Sequence, residues 1–100
     1  MPDPTSQELV QNFKRDVGKL LEEYRSRRGA DYLELGRAAS KESGRAVHAT
    51  GARDLCLANR WVWPPYARAI MVYLRIPHAA HLAEAYDAIQ RFDGKTPRLT

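Results

Sequence analysis

Two histidines three residues apart, His78 and His81, are the first pair whose spacing suggests chemistry. Imidazoles at i and i+3 share a helix face, an arrangement that holds divalent metals. Here Pro77 puts His78 at the very start of a helix, away from the regular face a metal set needs. No metal site is assigned and no cofactor is implied. His48 has no sequence neighbour that would make it a general base. Cys56 is the only cysteine. It falls inside a helical stretch and reads as a small core residue rather than a nucleophile. A lone cysteine also rules out an intrachain disulfide framework and suits a reducing compartment. Gly-rich phosphate loops, Gly-x-Ser-x-Gly and His-Glu-x-x-His are missing from the sequence. The chain is therefore read as a non-enzyme.

What remains is the chemistry of arginine. The 100 residues carry a formal charge of +4. From Met1 to Ser43 eight bases balance eight acids, and from Ala79 to Thr100 three balance three. Between Gly44 and His78 stand Arg45, Arg53, Arg60, Arg68 and Arg75 against Asp54 alone, so this segment holds the whole excess. Every base in it is arginine, whose planar fork fits phosphate oxygens and guanine edges better than an ammonium group does. In the same segment Trp61-Val62-Trp63 and Pro64-Pro65 form the most unusual run of the chain. The tryptophans are either half-buried packing groups or a surface for a protein partner.

Hydrophobic spacing indicates the elements that must position these side chains. An all-α chain of five helices is predicted, with no alternating strand pattern and no internal repeat. Residues 1–6 form a lead-in and residues 7–93 the helical domain; residues 94–100 form a short tail. The first helix runs from about Gln7 to Arg28, with Leu9, Phe13, Val17, Leu20, Leu21 and Tyr24 on one face. Gly18 lies in its middle, where another backbone can approach, and Gly29 ends it. A second helix follows from Asp31, its cap, to Ala39. Ser40 to Ala49 is expected to be mostly loop. The third helix spans about Gly51 to Asn59, with Thr50 as cap and Asn59 as a left-handed terminator. The fourth, Pro65 to Arg75, is apolar on nearly all sides and therefore buried. The fifth runs from Ala79 to Phe92.

The first residues carry Asp3 between two prolines, unlike a secretory signal, and no apolar run reaches the roughly 18 residues of a membrane span. A cytoplasmic protein without a membrane partner is expected.

In order and spacing these segments resemble the lambda-repressor-like helix-turn-helix family, most closely its divergent actinobacterial branch. Val17 to Gly29 (VGKLLEEYRSRRG) is similar to the family's first helix. Tyr32 to Ser40 (YLELGRAAS) is similar to its second, with Leu35 and Ala39 carrying the core pattern. Arg53 to Pro64 (RDLCLANRWVWP) and the apolar helix after it resemble the recognition helix, its turn and the fourth helix. Two departures stand out: a long connection at Ser40–Ala49, and Trp-Val-Trp where the family has Gly and basic residues.

The resemblance implies a sequence-specific regulator of transcription whose third helix enters the major groove of double-stranded DNA. Thr50, Ala52 and Arg53 would then face the bases, with Arg53 forking onto guanine. Arg45, His48, Arg60 and Arg68 would meet phosphates, and a homodimer would span two half-sites. The alternative is a small helical adaptor that docks a protein partner through Trp61, Trp63 and the arginine face.

Overall fold

The computed structural model describes residues 6–45 and 49–95. Among them the chain forms five α-helices and no strand: α1 Ser6–Arg28, α2 Tyr32–Ser43, α3 Ala49–Cys56, α4 Pro64–Tyr73 and α5 Ala79–Lys95.

α1 buries Val10, Val17, Gly18 and Leu21 and half-buries Phe13, Leu20 and Tyr24, which is the predicted face except that Val10 takes the place of Leu9. Leu9 stands exposed at the start of the helix. The helix ends as its sequence demands. Gly29 adopts φ 72°, and the Ala30 N–H donates to the Arg25 carbonyl, six residues being wrapped into one closing turn.

α2 starts where Asp31 was expected to cap it: the carboxylate accepts from the Glu34 N–H at 2.7 Å. It does not stop at Ala39. The Ser40 hydroxyl donates to the Gly36 carbonyl, so a residue that would otherwise compete with the helix is satisfied within it. The helix then runs one more turn, to Gly44, which adopts φ 73°. The expected loop is therefore helical from Ser40 to Ser43 and again at Ala49, where α3 begins instead of at Gly51; residues 46–48 lie outside the described residues. Thr50 lies inside the helix and is not its cap.

α3 ends at Cys56, three residues before the expected Asn59, and its left-handed terminator is displaced by one. Ala58, not Asn59, takes the left-handed conformation (φ 56°), and the Asn59 N–H reaches back to the Asp54 carbonyl at 2.9 Å. The backbone geometry of the closing turn selects the position; the side chain preferred there stands one residue late. Trp63, at φ −56° and ψ 127°, then leads into α4, with Pro64 at the first helical position.

α4 is the centre of the core. Tyr66, Ala67, Ile70, Met71 and Leu74 are buried, and only Val72 among its large apolar residues is exposed. Each such aliphatic burial contributes about 1.5–3 kcal/mol before entropy is counted. α4 packs against α2 on one side and α5 on the other. α3 lies in the angle between α1 and α2. Arg75, at φ 57°, closes α4 as Gly29 closes α1, with the Ile76 N–H donating to the Met71 carbonyl. α5 continues a turn beyond its expected end, to Lys95.

Candidate functional site

α3 is held from three sides. Its Ala52, Leu55 and Cys56 face inward and are buried. Beneath its first turn lies the Tyr66 ring of α4, with its hydroxyl against the α3 backbone. A side chain at Gly51 would stand 3.1 Å from that oxygen. Burial pushes the Tyr66 hydroxyl up to about 12, so it stays protonated at neutral pH. At its other end α3 meets α1 through Gly18, where there is no side chain to keep the backbones apart.

The outward face of α3 is left with Thr50 and Arg53, both exposed, and exposed Leu57 follows its last residue. Among the described residues no hydrogen bond or ion pair engages the Arg53 guanidinium. Thr50 and Arg53, three residues apart, present a hydroxyl and an unoccupied planar fork side by side on one helix face. Ala52 does not join them. It is fully buried in the core (0% exposed) and has no surface to offer a base edge. It precedes Leu55 by three residues and Cys56 by four, so it shares their helix face and is buried with them.

The other arginines disperse. Arg60 folds back and pairs with Asp54, one position along α3 from Arg53. That hydrogen bond, with a second from Asn59, holds the Asp54 carboxyl below its usual range. Arg45, at the start of the α2–α3 connection, lays its guanidinium over the Trp63 ring at 4.1 Å from the centroid. The connection is thereby tied to the start of α4. Arg68 opens onto a groove between α4 and α5 together with Glu42, Glu84 and Asp87, carboxylates that repel phosphate. His48 lies outside the described residues.

The two tryptophans separate as well. Trp61 is a packing residue. Its indole N–H donates to Asp93 at 2.7 Å, and its ring meets Tyr86 edge to face at 5.0 Å. Lys14 sits over the ring at 5.3 Å. Its neighbour Val62 is clamped in the same way: the N–H donates to the Tyr86 hydroxyl at 3.0 Å, and the carbonyl accepts from Gln90 at 3.2 Å. α5 thus anchors the segment that joins α3 to α4. Trp63 alone reaches the surface, 39% exposed.

Arg37 and Lys41 were not among the expected site residues. Both are exposed on α2, four residues apart, and neither is ion-paired among the described residues. They stood hidden in a half of the chain whose charges cancel. In three dimensions Glu22, Glu23 and Glu34 are engaged by Arg25, Arg27 and Arg28, so part of that balance is consumed internally. Their spacing of four, opposite the Leu35–Ala39 face, was the signal available.

Among the described residues no group of three or more His, Cys, Asp or Glu side chains is placed to hold a metal. His78 and His81 do approach, with ring centroids 6.2 Å apart. No helix of the described residues is long and apolar enough to cross a membrane. No family model, no curated protein and no solved structure matches the chain.

Proposed function

We propose that this chain is a sequence-specific DNA-binding regulator of the lambda-repressor-like helix-turn-helix type. α3 would enter the major groove, with Arg53 donating to a guanine and Thr50 beside it. The observation that carries this is the outward face of α3: an unpaired arginine and a hydroxyl on a helix wedged between α1 and α2. Arg37 and Lys41 on α2 are assigned to phosphates in place of Arg68. A bidentate arginine–guanine contact discriminates by about 1–3 kcal/mol, and the phosphate contacts make affinity fall steeply with salt. Two copies on paired half-sites would complete the arrangement.

Selection of random duplexes on the purified chain, followed by a salt titration of the winners, tests this. The expected result is an enriched motif containing guanine. Absence of binding to any duplex at low ionic strength would overturn it.

A further inference from the structure

The groove between α4 and α5 has a volume of about 820 Å³ and no lining residue from α3. Its floor is apolar, made by Pro65 and Ala69 of α4 and by Ala80 and Ala83 of α5. Trp63 and Val72, 39% and 55% exposed, mark the two ends of its α4 wall. They stand nine positions apart, about 13 Å at the rise of an α-helix. That length is sufficient for the i to i+7 span of apolar residues on one face of a partner helix, about 10 Å.

The charge on the rim selects the partner. Glu42, Glu84 and Asp87 line the groove with one base, Arg68, while Arg45 lies over the Trp63 ring. Asp87 is engaged by Arg91, but Glu42 and Glu84 have no ion-pair partner among the described residues. An apolar trough with carboxylates on its rim, on a basic protein, repels nucleic acid and attracts cationic side chains.

We propose that this groove docks an amphipathic helix of another protein, with apolar residues along one face and Lys or Arg beside them. Val72 and Trp63 contact the apolar face, and Glu42 and Glu84 pair with the flanking cations. The docking surface is separate from the outward face of α3 and stands whether or not α3 binds DNA.

A display library of random 16-residue peptides, selected on the purified full chain, tests the inference. Enriched peptides should combine apolar residues at helical spacing with an excess of Lys and Arg. Val72→Glu and Glu84→Arg change exposed side chains and should leave the circular dichroism spectrum and melting temperature unaltered. Each should weaken the winning peptides at least tenfold, whereas Arg53→Ala should not. No enrichment, enrichment of acidic peptides, or winners indifferent to both groove variants would overturn the proposal. So would sedimentation showing a dimer of this chain that Val72→Glu dissolves, because the groove would then be filled by a second copy.

Discussion

A Cβ atom on Gly18 would stand 2.8 Å from the carbonyl oxygen of Cys56. It would also lie 3.1 Å from the Leu55 oxygen and 3.3 Å from the Ala58 nitrogen. α1 and the end of α3 are therefore in backbone contact, and the position of α3 depends on the missing side chain. Gly18→Ala would gain about 1 kcal/mol of helix propensity. Overpacking against backbone that cannot rotate away costs about 1–3 kcal/mol. We expect a net loss of about 1 kcal/mol in urea denaturation, with a further drop in any affinity that depends on α3. A stabilised variant would show that the two helices separate freely.

Ala58 occupies a left-handed conformation that L-residues other than Gly and Asn avoid. Ala58→Gly should stabilise the domain by about 0.5–1 kcal/mol, raising the melting temperature by about 2–6 °C. Asn59→Gly is the control and should give no gain, because Asn59 is not among the residues with positive φ. Equal gains at both positions would place the end of α3 wrongly.

Under the proposed function Arg53 and Arg60 differ in consequence. Arg53→Ala should cost at least tenfold in affinity for the selected duplex and relax preference at one base position. Arg60 is held by Asp54, so Arg60→Ala should cost much less. Asp54→Asn releases Arg60 and removes a negative charge beside Arg53. It should tighten binding by roughly threefold and steepen the salt dependence. Titrations by fluorescence anisotropy at several salt concentrations separate the three variants.

Burial pushes the hydroxyls of Tyr66 and Tyr86 up to about 12 in the folded chain. In an unfolded chain they ionise near about 10. Their contribution to stability is fully present below that value and is lost as pH rises towards the folded one. The melting temperature should therefore fall between about pH 10 and 12. Tyr86→Phe should flatten this decline. At neutral pH it should cost about 1–3 kcal/mol, because the Val62 N–H loses its acceptor.

The acid limb has the opposite sign. The side-chain hydrogen bond from Arg25, which outweighs desolvation, holds Glu22 below its ordinary value, with a second bond from Tyr32. Its contribution is present above the unfolded carboxylate value and disappears as pH falls through the folded one. Thermal melts below about pH 5 should show a loss that Glu22→Gln reduces.

The number and order of helices were legible in the sequence because each helix has its own apolar period and its own stop. Val17 and Leu21 lie on a 3.6-residue face, Asp31 precedes a helix start, and Gly29 follows a helix end. These are local preferences, settled within a few residues. The suggestion that Gly18 admits a second backbone also needed only the chain, though not the identity of that backbone. Several boundaries were not legible, and two show why. Ser40–Ser43 is polar enough to read as loop, and its helical state depends on the Ser40–Gly36 bond and the turn at Gly44. The left-handed residue after α3 is Ala58, a type that carries no signal for that conformation.

The fate of the arginines belonged to the tertiary structure alone. Sequence placed all five in one segment, but charge is a sum and a site is a geometry. Folding left Arg53 unpaired on the outside of α3, bound Arg60 to Asp54, stacked Arg45 on Trp63 and put Arg68 among carboxylates from α2 and α5. The two tryptophans parted for the same reason. Residue 61 faces α5 and residue 63 faces solvent, a difference set by how the chain turns into α4 and by nothing in the residue type. Apolar spacing determined that this protein is helical and composition that it is basic; the packing of α1, α2 and α4 around α3 decided which of its basic groups remain available.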